Sequence, residues 1–334
     1  MTLSDIKNNI LNNKKFTTQI FETYNELSFK FLKDLSIELR NNKKVKNFPN
    51  LIYLMFWCND RIKLKKNRNE FLNLGRGLVF HVCPANVPTN FVYSFLFGLL
   101  SGNSNIIKIP SKHFEEKELI LSIIQKLLNK GVYKVFKNSN RFIEYSNNNE
   151  ITKYLSSICD ARVIWGGDKT INDIRKNWIP EKSIELTFAD RYSLSLINID
   201  KLKKENNKNF NSLVKKFYYD SYTMNQMACN SPHFVFWLGK KDLNFQKKFW
   251  QKLNEIVENK FSLDEVHVVE KYTNLMENII INDEFKDINL FKNNVFVCTP
   301  KNKLTKIENI RGVSGTFFQV NIKNLQDLKK FITK

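Results

Sequence analysis

Apolar residues recur at three- and four-residue steps near the start of the chain, where Ile20, Tyr24, Leu27, Phe31 and Leu35 share one stripe. That spacing predicts an amphipathic helix, and residues 1–70 read as a helical region with a second apolar patch at 51–57. From residue 74 the pattern changes. Gly75 and Gly77 bracket a turn, a short continuous apolar run follows at 78–82, and further short, mainly apolar runs lie at 106–109, 142–145, 162–164 and 194–197. Runs of that length predict buried strands. Between them, 90–101 and 114–128 carry helical spacing, the latter with Leu119, Ile120, Ile123, Ile124, Leu127 and Leu128 on one side. Short apolar strands alternating with helices predict an α/β protein whose parallel sheet is covered on both faces.

Residues 201–208 are polar and charged and make a connection between two domains. Beyond them, 213–219 and 245–257 read as helices, and 234–237, 266–269 and 295–297 as strands. The expected division is a helical region at 1–70, an α/β domain at 71–200 and a second at 201–334. A length of 334 residues agrees with about two domains.

Composition narrows the class. The longest apolar stretch, 91–100, falls short of the ~18 residues that a membrane-spanning helix needs, so no membrane span is expected. The first ten residues lack the basic-then-apolar order of a secretion signal, which makes the cytoplasm the default location. Cys58, Cys83, Cys159, Cys229 and Cys298 are scattered with no CxxC pair. That excludes a zinc framework and a disulfide scaffold, and leaves free thiols in a reducing compartment. A formal charge of +20 admits nucleic-acid binding. The lysines, however, are spread along the whole chain and alternate with no exposed aromatics, so no nucleic-acid partner is expected.

Four stretches carry candidate chemistry. Cys229, in YTMNQMACNSP, sits between a helical run and an apolar strand, where a thiol can be held by backbone yet face a cleft. It reads either as a nucleophile or as a small buried hydrophobe, and His233 lies near it in sequence. Asn86 follows the first strand between Pro84 and Pro88. Its amide can donate to an oxygen that turns negative, or can satisfy its own turn. Lys108 and Ser111 end a strand before a helix and can hold a ribose or its phosphate; a plain surface lysine is the competing reading. Gly166, Gly167 and Asp168 join a strand to a helix, which suits either a pyrophosphate at the helix amino terminus or an ordinary N-cap at Asp168 or Thr170. The chain has no GxGxxG before a helix.

Taken together, GLVFHVCPANVPTNFVYSFLFGLLSGNSNIIKIPS, ARVIWGGDKTINDIR, DRYSLSLI and YTMNQMACNSP resemble the acyl-CoA reductase family typified by the fatty-acid reductase of bacterial luminescence. That family, LuxC, lies within the aldehyde dehydrogenase superfamily, and the resemblance runs from about residue 75 to 325. It implies an aldehyde dehydrogenase-like fold, with a Rossmann-like cofactor domain at 71–200 and a catalytic domain at 201–334. It also implies reduction of a long-chain fatty acyl-CoA to the aldehyde by NADPH through a cysteinyl thioester. By the same resemblance Cys229 is the catalytic cysteine and Asn86 the oxyanion asparagine. Lys108 and Ser111 would hold the adenosine ribose or its 2′-phosphate, and Gly166, Gly167 and Asp168 would face the cofactor phosphates. A homo-oligomer or acyl-transferring partner proteins would accompany such an enzyme, and the cationic surface would attract the anionic acyl-CoA.

Three departures qualify the resemblance. The superfamily's base glutamate falls here within IELTFADRYS, at Glu185, at Thr187 or nowhere, which favours reduction over hydrolysis of a thioester. The ribose-binding glutamate has no counterpart near Arg311 or Gly315. The family continues beyond the segment matching 312–328, so a truncated C-terminus is expected, and with it one rival, an incomplete subunit or scaffold; a base at Glu185 would make the other, an oxidative aldehyde dehydrogenase.

Overall fold

In the computed structural model, which describes residues 2–7, 16–62, 72–84, 88–145, 149–189, 191–223, 225–261, 265–281, 285–300, 307 and 310–332, the apolar runs after Gly77 form a five-stranded sheet. Its strands are β1 (Leu78–Val82), β2 (Ser104–Lys108), β3 (Asn140–Ile143), β4 (Ala161–Gly166) and β5 (Ile184–Ala189). All pair in parallel, in the order β3-β2-β1-β4-β5, so the winding reverses between β1 and β4. In such sheets ligands bind beyond the carboxyl ends of the strands at that reversal. Every residue of β1 is buried, which explains an apolar run interrupted only by His81. One face packs Leu78, Phe80, Val82 and Ile106 against Ile151, Leu155, Ile171 and Ile174 of the helices Asn149–Ile158 and Asp168–Arg175. The other face meets the helices Asn90–Leu100 and Glu115–Leu128.

His81, in the middle of β1, is the one titratable side chain of that strand, and burial lowers its pKa to about 4. The neutral ring bridges Ser94 Oγ at 2.8 Å through Nδ1 and Asn105 Oδ1 at 2.9 Å through Nε2. Asn105 in turn donates to Asn140 Oδ1 at 2.7 Å, so three neighbouring strands share one buried polar row.

The amino-terminal stripe is shorter than its spacing predicts. The helix is Glu26–Asn41, with Phe31 and Leu35 buried, whereas Ile20 and Tyr24 precede it and stay 53% and 46% exposed. Asn25 caps the helix by accepting from Ser28 N, and Tyr24 has φ 55°, which breaks the helical path. Residues 17–24 run instead as a strap. Thr17 N donates to Asn138 O, Phe21 N to Gly102 O and Tyr24 N to Leu100 O. Gly102, at φ 75°, admits this approach, because a Cβ there would collide with the Phe21 carbonyl.

The strap, the helices and this sheet belong to the unit Met1–Asp190; a second unit, Arg191–Lys334, holds another five-stranded sheet. Its strands are β6 (Ser193–Asn198), β7 (Pro232–Leu238), β8 (Phe285–Phe291), β9 (Val295–Pro300) and β10 (Thr316–Ile322), in the order β6-β7-β10-β9-β8. Only β8 runs antiparallel to its neighbour. One face carries Phe234, Phe236 and Phe318. The other buries Trp237 and Phe317 against Phe249 and Trp250 of the helix Leu243–Lys260. Both indoles donate to Gln319 Oε1, at 3.0 and 2.9 Å.

Three expectations are corrected here. The 194–197 run, grouped above with the first sheet, is β6 of the second, because its partner is β7. Residues 201–208 lie inside the second unit, finishing the short helix Ile199–Leu202 and opening Asn207–Tyr222. Residues 266–269 are not a strand. They open the helix Glu265–Ile281, whose inward face carries Lys271, Leu275 and Asn278 at helical steps.

Lys271 is 1% exposed. Its Nζ donates to the carbonyls of Asn293 and Asn294 at 2.9 and 2.8 Å and lies 4.0 Å from the Phe296 ring centroid. Burial lowers its pKa from 10.5 to about 7. Above that value the fold holds a neutral amine while the unfolded chain still binds the proton, so this group makes stability rise with pH from about 7 toward 10.5. Thermal melts of Lys271→Met against the parent, from pH 6 to 9, are expected to show that rise flattened in the variant. Parallel curves would refute the assignment.

Candidate functional site

Cys229 lies in the turn between the helix Asn207–Tyr222 and β7. It is exposed, while Cys58, Cys83, Cys159 and Cys298 are buried and their thiols pushed up to about 12 by that burial. Only a thiolate is nucleophilic, so the four buried thiols are chemically quiet near neutral pH. The backbone on either side of Cys229 is tied down. Ser193 Oγ donates to the Cys229 carbonyl at 2.6 Å, Ser231 N to the Ala228 carbonyl at 2.9 Å and Ser231 Oγ to the Asp220 carbonyl at 2.7 Å. His233 is turned to another task, with Nδ1 3.0 Å from the Gly312 carbonyl and its ring against Tyr192.

In the first unit, Lys108 is the last residue of β2, and its register partner Val82 is the last of β1. Its Nζ stands 4.5 Å from the Tyr145 ring centroid, and burial lowers its pKa. Among the described residues no carboxylate pairs with it, and an ammonium over an aromatic face keeps its charge for an incoming anion. Ser111 is exposed in the turn that follows. That turn is fixed by Lys117, whose Nζ donates to the Pro110 carbonyl at 3.1 Å and to Glu144 at 3.3 Å. Sequence reasoning missed Lys117 and Tyr145; the helical spacing gives Lys117 an inward face, but nothing in the residue order marks Tyr145.

Gly166 ends β4 on the other side of β1. Gly167 is the N-cap of Asp168–Arg175 with no side-chain cap bond, and the space where its Cβ would sit is open. Asp168 is exposed in the first turn. Topology thus brings Lys108 and Ser111 together with Gly166, Gly167 and Asp168 at one edge of the sheet, the carboxyl edge beside the winding reversal. Open backbone amides and a cation there fit the phosphates and ribose of a dinucleotide. Asn86 falls in 85–87, outside the described residues. Cys229 belongs to the other unit.

Glu185, the first alternative for a base, is spoken for. Its Oε2 accepts from Arg162 Nε at 2.9 Å and Nη2 at 2.5 Å, and its Oε1 accepts from Arg175 Nε at 2.6 Å. Burial alone would raise its pKa, but the bonds from Arg175 and Arg162 outweigh that and hold the carboxyl below its usual value. It is the second residue of β5, near the amino-terminal end, away from the edge that carries Lys108 and Gly166. Thr187, the other alternative, pairs with Ile164 nearer the carboxyl end. Among the described residues no group of three His, Cys, Asp or Glu could hold a metal ion, and no helix is long and apolar enough to cross a membrane.

No curated protein sequence matches the chain. Solved structures do. NAD+-bound betaine aldehyde dehydrogenase from Staphylococcus aureus superposes with TM-score 0.63 at 13% identity, over 93% of this chain and 68% of that one. An NAD-dependent benzaldehyde dehydrogenase from Corynebacterium glutamicum gives 0.62 at 10% identity, over 92% and 73%. A salicylaldehyde dehydrogenase from Pseudomonas putida G7 gives 0.58 at 12%, over 91% and 69%. At such identities the likeness is one of fold, and it is the aldehyde dehydrogenase fold that the sequence led us to expect. The acyl-CoA reductase family LuxC matches residues 59–292, well over half of the chain, and the chain belongs to that family.

Proposed function

We infer that this oxidoreductase reduces a long-chain fatty acyl-CoA to the aldehyde with NADPH, through a thioester on Cys229. The observation that carries the reading is Cys229 itself, the exposed thiol among five, in a backbone-tied turn of a chain from an acyl-CoA reductase family. The Cys229 thiolate attacks the thioester carbonyl carbon, a new C–S bond forms, and the bond to coenzyme A breaks, with coenzyme A leaving as its thiolate. Asn86 and the Cys229 N–H are the donors for the carbonyl oxygen as it turns negative. Bound NADPH supplies the hydride that turns the acyl group into an aldehyde. The thiolate of Cys229 is then the leaving group and is ready for another acyl chain.

In this reading the first unit takes the cofactor, with Lys108 and Ser111 on the adenosine side and Gly166, Gly167 and Asp168 facing the phosphates. Long-chain preference rests on the resemblance to the luminescence reductase. The oxidative rival needs a base to activate water. Glu185, held by two arginines near the amino-terminal end of β5, is ill placed for it.

Intact-protein mass spectrometry after mixing the chain with a long-chain acyl-CoA tests the reading. A gain of one acyl group that disappears on adding NADPH is expected. A folded chain that gains no mass would sink it. Lys108→Ala is expected to raise the KM for NADPH about tenfold, the loss of roughly 1.4 kcal/mol from one charge-assisted contact, with the KM for acyl-CoA within about twofold. Equal rises in both would place Lys108 away from the cofactor.

A further inference from the structure

We propose that Gln226 is a positioning residue for Cys229, closing the turn that presents the thiol into a ring pinned to the second sheet. This rests on the reading of Cys229 as the nucleophile. Asn225 and Gln226 both have left-handed backbone, at φ 50° and 64°. A non-glycine residue in that region is strained by about 1–2 kcal/mol, so two in succession need something to hold them. The Gln226 carboxamide supplies it. Nε2 donates to the Pro232 carbonyl and to the Thr316 carbonyl, each at 2.9 Å, and Oε1 accepts from Gly315 N at 3.0 Å. Both donors of the amide are used, and the side chain is 2% exposed.

The partners decide what this does. Pro232 is the first residue of β7 and Thr316 the first of β10, and these strands are neighbours in the sheet. The bond from Gln226 to Pro232 closes a short loop with Cys229 in its middle. The main chain adds to the same knot: Gln226 N donates to the Ser221 carbonyl at 2.7 Å, and Ser314 N donates to the Asn225 carbonyl at 3.3 Å. Gly315 itself sits at φ 89°, where a Cβ would collide with Tyr222 Oη and the Asn294 carbonyl. Gln226 therefore ties the cysteine turn to the starts of two strands through its carboxamide and to the end of a helix through its backbone N–H. A reacting atom displaced by about 1 Å can lose about a hundredfold in rate, which is the effect such a clamp prevents. Glutamate would face two carbonyl oxygens with its own oxygens, and leucine would leave three buried backbone groups bare.

The test uses the full chain and two readouts. One is alkylation of Cys229 by iodoacetamide, followed by peptide mass, which needs no acyl-CoA. The other is the split of kcat from KM for acyl-CoA reduction. Gln226→Leu is expected to lower kcat about tenfold or more with the acyl-CoA KM within about twofold, and to change the alkylation rate by at least about threefold. Tyr222→Phe, which removes a hydroxyl bond to the Asn294 carbonyl in the same neighbourhood, is expected to leave both within about twofold. Wild-type kcat and alkylation in Gln226→Leu would overturn the proposal, and so would an equal loss in Tyr222→Phe. Should Gln226→Leu fail to fold, Gln226→Glu serves: its alkylation rate relative to wild type should recover as the pH falls and the acid regains a donor, and a ratio flat with pH refutes the clamp. A wild-type chain that neither acylates nor reduces would remove the nucleophile reading, while the alkylation comparison would still decide what Gln226 does.

Discussion

Cys229→Ala is expected to abolish the acyl adduct and to lower acyl-CoA reduction by at least about a thousandfold, the scale seen when a covalent nucleophile is removed. No other thiol of the chain can take over. Cys58, Cys83, Cys159 and Cys298 are buried, and their pKa values near 12 keep them protonated. The variant should melt as the parent does, since the Cys229 side chain is exposed and its turn is held through backbone groups. On the proposed reading NADPH affinity should also persist, because Lys108 and Gly166–Asp168 lie in the other unit. A variant that still reduces acyl-CoA at a comparable rate would place the nucleophile elsewhere.

Glu185→Gln has the next largest expected effect, and it is on stability. Arg162 is 2% exposed and would keep its charge with the Ser156 hydroxyl, the Asn177 carbonyl and an uncharged amide to face it in place of a carboxylate. Breaking a buried pair from one side costs about 3–5 kcal/mol, and the exposed Arg175 bridge adds little to that. The sign with pH follows from the lowered carboxyl pKa. The folded chain binds the proton less readily than the unfolded one, so this stabilisation is present above the ordinary glutamate value near 4.5 and is lost as the pH falls through the depressed one. Urea titrations at pH 7 and in mild acid check both points. A midpoint untouched by the substitution, together with lost turnover, would mean that Glu185 is a catalytic base after all.

What the sequence made legible depended on how each element is buried. β1, β2 and β4 are central, both faces are covered, and their apolar runs stand out. β5, reading IELTFA, is an edge strand with Leu186 and Phe188 half exposed, and its mixed pattern hid it inside a motif. The run at 266–269 looked like a strand because β-branched residues cluster there, yet tertiary packing of Lys271 and Leu275 made it a helix. The place of Cys229 between a helix and a strand was readable. Gln226 was not, because left-handed backbone at an Asn-Gln pair carries no glycine to announce it, and its partners Pro232, Gly315 and Thr316 come together only in the fold. The edge beside β1 could be located from strand order, whereas the cation–π seat of Lys108 on Tyr145 could not.

The place of β10 bears on how the protein is made. Among the described strands of the second unit it leaves the ribosome after β6, β7, β8 and β9, and it belongs in the middle of their sheet, between β7 and β9. Until it arrives, β6 can pair only with β7 and β8 only with β9, and nothing joins the two pairs into one sheet. Gln226 lacks two of its three anchors during that interval, since Thr316 and Gly315 are the start of the missing strand and the residue before it. The cysteine turn therefore cannot be locked during synthesis of the region that contains it. The nascent second unit carries an unfinished sheet and a loosely held thiol until β10 inserts, and that is the window in which it is most exposed to mispairing and oxidation.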